Sequence, residues 1–256
     1  MSTGTDMAAG TWGSPAAAAD GLAVSGLTVE RASFPVVHDI SLRAPLGQVT
    51  VVLGANGAGK TTMLEAISGV IPAASGKIEL GGTDITSVSR RNRARAGLGH
   101  VEQGRSVFAE LTTEENLEVS RRGNWKFDEA YGLFPELKER RHVRAGLLSG
   151  GEQQMLVIAR AMSTQPKLLM VDEMSLGLAP RVAKRLITAI RTLAEQGAGS
   201  PGVGILLVEQ YAGLALAIGD HAYVVTQGRL VYDGPCQTLA EHPEVLRHAY
   251  LGERTG

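Results

Sequence analysis

A chain of 256 residues, 44% hydrophobic and 20% charged, is long enough to bury a sizeable core, as one large α/β domain with a subdomain or as two small domains. Its 25 basic and 26 acidic side chains nearly cancel, which leaves no global field to draw it to DNA or anionic lipid, so nucleic acid is not an expected partner. The single cysteine, Cys236, excludes an internal disulfide framework and fits a reducing compartment, and no apolar run reaches the roughly 18 residues of a membrane span.

In chain order, residues 1–20 are rich in Ala, Gly, Ser and Thr without Lys or Arg, lack the pattern of a secretory signal, and predict a disordered tail. Residues 23–46 and 76–82 carry strand-like side chains between Gly and Pro turns and predict an antiparallel flap. VTVVLG (49–54), LLMVDE (168–173) and GILLVEQ (204–210) are continuous apolar runs ending in polar residues, the pattern of parallel strands buried on both faces with chemistry at their C-terminal ends. Helices are predicted over 61–67, 152–163 and 180–194, the last with a proline in its first turn. The charged, helix-patterned stretch 112–144 predicts a helical subdomain inserted between sheet strands, with outer limits near 104–165. The expected fold class is therefore α/β, a parallel sheet core with a flap and a helical insert, in one domain over 21–256.

Three segments carry chemistry. GANGAGKT (54–61) lies after an apolar strand and before a helix, where the phosphate-loop pattern G-x-x-x-x-G-K-[ST] belongs. Gly54, Gly57 and Gly59 let the backbone curl so that N–H groups through Ala55, Asn56 and Ala58 face the phosphates. Lys60 would pair with the β and γ phosphates, Thr61 would ligate Mg²⁺, and Thr62 could reach the α phosphate. The bland alternative is a glycine-rich turn that only resembles this loop. LLMVDE supplies Asp172, placed to hold Mg²⁺ through water, and Glu173, placed to polarise an attacking water; alone, this pair could equally be a helix cap or a solvated turn. LSGGEQQ (148–154) offers one hydroxyl, two glycines and a helix start, which bind a terminal phosphate without a charged side chain.

These segments, in this order, resemble the ATPase subunits of ATP-binding cassette transporters over roughly 22–252. TTEENL (112–117), SGGEQQM (149–155), SLGLAP (175–180), LLVEQ (206–210) and AYLG (249–252) are similar to the branched-chain amino-acid importer ATPases and their urea and amide relatives. The resemblance implies a RecA-like P-loop NTPase core, ATP and Mg²⁺ as ligands, and a place on the cytoplasmic face of the membrane. It implies as partners transmembrane permease subunits, a second ATPase subunit of the same or a different chain, and indirectly a solute-binding protein. It also implies that Gln103 joins the two subdomains near Mg²⁺ or the attacking water. Ser149, Gly150 and Gly151 would grip the γ phosphate held by the opposite subunit. Phe34 matches the adenine-stacking aromatic, with a core phenylalanine as the competing reading.

Two positions depart from the pattern. Gln210 stands where most cassettes place a switch histidine; its amide can donate to a phosphate oxygen but carries no positive charge. Met174 stands where proline usually follows the Asp-Glu pair, which predicts a looser turn around Glu173 and Ser175. Two rivals keep the ATPase fold: a soluble non-transport cassette, which the lack of sustained heptads and of a second cassette disfavours, and a regulatory cassette with weak hydrolysis. The six histidines show no ligand-like spacing.

Overall fold

The computed structural model describes residues 21–195 and 202–251; the predicted tail and Gly252 of AYLG lie outside the described residues. β1 (Leu22–Arg31) and β2 (Phe34–Ala44) form an antiparallel hairpin turned at Ala32 and Ser33, both with positive φ. β3 (Val49–Leu53) leads through the glycine loop into α1 (Lys60–Ser68). β4 (Ser75–Leu80) and β5 (Thr83–Asp84) return to the hairpin before α2 (Arg90–Ala96) and β6 (Leu98–Val101). Helices α3 (Thr113–Ser120), α4 (Phe127–Leu133) and α5 (Pro135–Glu139), a 3-10 turn (Ala145–Leu147) and α6 (Gly150–Ser163) follow. Then β7 (Leu168–Asp172), α7 (Pro180–Glu195), β8 (Gly204–Glu209) and α8 (Ala212–Leu216) alternate. β9 (His221–Thr226), β10 (Arg229–Pro235), α9 (Cys236–Glu241) and α10 (Pro243–Leu251) complete the described chain.

Two sheets result: an antiparallel one in the order β2-β1-β4-β5 and a six-stranded one in the order β10-β9-β3-β8-β7-β6, parallel throughout except for β10. The expected flap and parallel core are both present, and the three anticipated strands each end one residue early. β6, β9 and β10 were not anticipated. All of α3 to α6 lie between β6 and β7, which are neighbours in the sheet, so the helical stretch leaves and rejoins the sheet at one edge.

The central strands are apolar throughout because both of their faces are covered. Val49, Val51, Leu53, Val171 and Leu207 face a core shared with α6, α7 and the inserted helices. Val52, Met170, Leu206, Val208 and Tyr223 face a second core shared with α1 and the antiparallel sheet. Polar tethers hold the pieces in register. Buried Arg93 of α2 donates to the Ala66 and Ile67 carbonyls at 2.8 and 2.6 Å, satisfying the end of α1. Buried Asn116 of α3 donates to the Phe108, Leu111 and Thr112 carbonyls and accepts from the Phe108 N–H, fixing the loop that follows Gln103. Capping boxes begin α3 at Thr112 and Glu115 and α6 at Ser149 and Glu152.

Candidate nucleotide site

The phosphate loop springs from the C-terminal end of β3, mid-sheet, and is braced from behind: the Gly228 N–H, in the β9–β10 turn, donates to the Ala58 carbonyl at 2.9 Å. Gly59 takes φ 99°, and a Cβ there would lie 3.0 Å from the Val36 carbonyl of β2, so this turn into α1 needs glycine on two counts. Lys60, 4% exposed, donates through Nζ to the Gly54 and Ala55 carbonyls at 2.8 and 3.0 Å, which holds its charge over the loop's concave side. A cleft of about 340 Å³ opens there, lined by Val36, Asn56, Gly57, Gly59, Lys60, Thr61, Thr62, Gln103, Glu173 and Leu176.

The two carboxylates arrive from β7 with opposite settings. Asp172 is buried, and its Oδ2 accepts from Thr61 Oγ1 at 2.8 Å. Glu173 stands just past the strand with φ 44°, an uncommon conformation for a non-glycine residue, held by its N–H to the Val208 carbonyl at 2.9 Å. Its Oε1 lies 3.5 Å from Lys60 Nζ, and its Oε2 accepts from Gln103 Nε2 at 3.1 Å. Thus residues from three separate segments meet here: Lys60 and Thr61, Gln103, and Glu173 with Asp172 just behind it against Thr61.

The turn beyond is firmer than the sequence predicts. Met174 is 2% exposed within the main core, so a buried side chain pins the turn where a proline ring would have stiffened it. Ser175 is held by buried Glu209, its N–H to Oε1 at 3.1 Å and its hydroxyl to Oε2 at 2.6 Å. Sequence reasoning gave Glu209 and Tyr250 no role; Glu209 meets Ser175 and Tyr250 donates to the Gln210 carbonyl, both partners distant in the chain, and the quoted LLVEQ and AYLG segments were the only signal for them.

Ser149, Gly150 and Gly151 do not line the cleft. They start α6, with Ser149 exposed and its Oγ accepting from the Glu152 N–H at 3.3 Å, while the Glu152 carboxylate accepts from the Ser149 N–H at 2.8 Å. A second cleft of about 480 Å³, lined by Gln103, Arg105, Gln154, Glu173 and Met174 among others, joins α6 to the first. Phe34 is 74% exposed, which removes the core reading, and it is Val36, two residues on, that reaches the cleft. Gln210 follows β8 at the C-terminal end of the parallel strands, as the phosphate loop follows β3, and does not line the cleft. Buried His221 of β9 pairs with Asp233 of β10, and His242 pairs with Glu244; neither histidine lines this cleft.

The donor set fits Mg²⁺. Asp172 Oδ1 is buried without a hydrogen-bond partner beside the Thr61 hydroxyl, and a hard cation held by one or two protein oxygens plus phosphates and water matches such an orphaned oxygen. Burial chiefly, with the Glu173 charge adding and Thr61 and Lys60 opposing, holds the Asp172 carboxyl above the usual carboxylate range. Between the ordinary carboxylate pKa and the raised one, the folded chain therefore keeps a proton here that the unfolded chain has released. This group's contribution to stability falls as pH rises from the ordinary carboxylate pKa through the raised one. Asp172→Asn is expected to remove that dependence and to leave the chain alone at least as stable. It should also abolish the Mg²⁺-dependent part of stabilisation by ATP, whose total is about 2.7 kcal/mol at a hundredfold excess over Kd, or roughly 5 to 10 °C. Thermal melts in ATP with and without Mg²⁺ test this.

The model of the ABC transporter family matches residues 37–175. The chain is 41% identical to the high-affinity branched-chain amino acid transport ATP-binding protein BraG of Pseudomonas aeruginosa, over 84% of this chain and 93% of that one. It is 36% identical to the probable branched-chain amino acid transport ATP-binding protein LivF of Archaeoglobus fulgidus, over 81% and 89%. Among solved structures, the ADP conformation of an ATP-binding cassette of an ABC transporter superposes with TM-score 0.77 at 25% identity, covering 91% of this chain and 98% of that one. A central phosphate loop, a carboxylate pair on the adjoining turn and this extent of likeness converge: the chain belongs to the ABC transporter family, as an ATP-binding subunit that hydrolyses ATP.

Proposed function

We propose that this chain energises uptake of branched-chain amino acids, or of a related small solute such as urea or an amide, through a membrane permease. Two ATPase subunits, identical or different, sandwich two ATP molecules on the cytoplasmic face of the membrane. Lys60 and the loop N–H groups hold the phosphates, and Thr61 and Asp172 would hold Mg²⁺, which when bound would supply charge neutralisation at the phosphoryl oxygens. Glu173 orients and polarises the attacking water. Ser149, Gly150 and Gly151 close on the γ phosphate held by the partner, and Gln210 donates to the γ phosphate held by its own chain's loop.

The observation that carries the coupling is the Gln103–Glu173 hydrogen bond at 3.1 Å. Gln103 lies on the segment leading from β6 into the helical insert, so displacement of residues 103–115 by a permease changes the restraint on the residue that handles water. No helix among the described residues is long and apolar enough to cross a membrane, so translocation needs separate spans. The amino-acid assignment is supported by the extent of identity to BraG and LivF, since residues of this chain do not touch cargo.

Full-length tagged chain, extracted in detergent from its own cells, should co-purify with a multi-span permease. The reconstituted complex should take up labelled leucine only with ATP and a solute-binding protein. Retrieval without any permease would favour the soluble cassette, and ATP-driven transport of a different solute would overturn the cargo assignment alone.

A further inference from the structure

Tyr250 reaches the backbone just past β8, beside the start of the phosphate loop, from α10, a helix that takes no part in that loop or the carboxylate turn. Its hydroxyl donates to the Gln210 carbonyl at 3.1 Å, across 40 residues of sequence. The backbone N–H of Gly54 is near enough to the same oxygen to oppose the rise in its pKa. The sheet register explains why these two residues lie together: β3 pairs in parallel with β8, Leu53 stands opposite Glu209, and Gly54 and Gln210 are the next residue on each side. The ladder stops there, because the loop must curl away, and the tyrosine hydroxyl, bonded to the Gln210 carbonyl, lies beside the Gly54 backbone where the next rung would be. The ring is partly buried, and the Glu173 and Glu209 carboxylates are close enough to be felt by it; burial first, then these charges, push its pKa up and keep the hydroxyl a donor at working pH.

We propose that Tyr250 is a positioning residue for hydrolysis, setting the Gln210 backbone at a fixed distance from the phosphate loop so that the Gln210 amide meets the γ phosphate. Glu209, the residue before Gln210, is already locked to Ser175 by two hydrogen bonds. Gln210 therefore hangs between that anchor and the tyrosine, and loss of the hydroxyl frees one side of it. The proposal rests on the role assigned to Gln210 above.

The test is a cycle in the full-length chain: Tyr250→Phe, Gln210→Ala and both together, with kcat, KM, nucleotide Kd and thermal melting measured for each. Tyr250→Phe keeps the ring, so melting and nucleotide Kd should stay at wild-type values while kcat falls about three- to tenfold. On the Gln210→Ala background the same change should cost nothing further, because no amide remains to be placed. An equal loss on both backgrounds, or a loss explained by weaker ATP binding, overturns the proposal. So does a wild-type kcat for Tyr250→Phe when Gln210→Ala is impaired. A wild-type kcat for Gln210→Ala would instead overturn the role of Gln210, and the proposal with it.

Discussion

Glu173→Gln should lower ATP turnover by about 10²- to 10⁴-fold, the range associated with loss of a positioned general base, while leaving ATP affinity unchanged or tighter. The substitution keeps the size and shape of the side chain and leaves the backbone that holds it untouched: its N–H still meets the Val208 carbonyl and the left-handed turn persists. What disappears is the negative charge. That charge now faces Lys60 Nζ at 3.5 Å and raises the pKa of Asp172, so its removal frees the lysine for phosphate and eases ionisation of Asp172 for metal. Neither change weakens nucleotide binding. Water, by contrast, loses its proton acceptor, and an amide in that place cannot supply one. Turnover assays beside fluorescent-nucleotide titrations separate the two effects, and ATP-bound dimers should accumulate on gel filtration. Sustained hydrolysis in the variant would move the general base elsewhere, and the regulatory reading would gain nothing from it.

The parts of this site that are legible in the sequence are those whose chemistry is local. β3, the glycine loop and α1 occupy consecutive residues, and the Ser149–Glu152 capping box marks the start of α6 within four residues. The apolar runs of β7 and β8 stand out because both sheet faces are covered. β6 does not, since Gly99 and His100 interrupt its four residues, and β10 alternates exposed and half-buried side chains as an edge strand ending in proline. The contacts made by Glu209, Asn116 and Tyr250 are hidden for another reason. Each polar group finds its partner only when the chain is folded, at a separation no periodicity encodes for Glu209 and Tyr250, and through backbone carbonyls for Asn116. Met174 shows the limit from the opposite side: reasoning from backbone stiffness alone predicts a loose turn, whereas burial of the thioether side chain supplies the restraint.

Ser149→Asp separates the signature segment from the rest of the machine. Aspartate is as good an N-cap as serine, so the helix start should survive, with melting within about 2 °C of wild type. Gly151 is a poorer choice, since a Cβ there would come within 2.6 Å of Val182 Cγ1 on α7 and disturb helix packing as well as function. The new carboxylate would project where α6 presents free N–H groups to solvent. It lies outside the cleft that holds Lys60 and Thr61, so ATP binding by the isolated chain should stay within about twofold of wild type. Exposed Leu147, at 78%, directly precedes the segment, and exposed Leu176 follows the carboxylate turn, a pair of apolar side chains placed to be covered by a second subunit. With a carboxylate meeting that subunit's γ phosphate, like charges oppose each other at hydrogen-bond range. ATP-dependent dimerisation should be lost and turnover should fall by more than about 100-fold. Ser149→Asn, which caps equally well without charge, should recover dimerisation in part. Light scattering with and without ATP, in a Glu173→Gln background that holds the dimer closed, gives the most sensitive reading. Loss of ATP binding by the Ser149→Asp monomer would place the signature in its own chain's site, and the shared-site arrangement would fall.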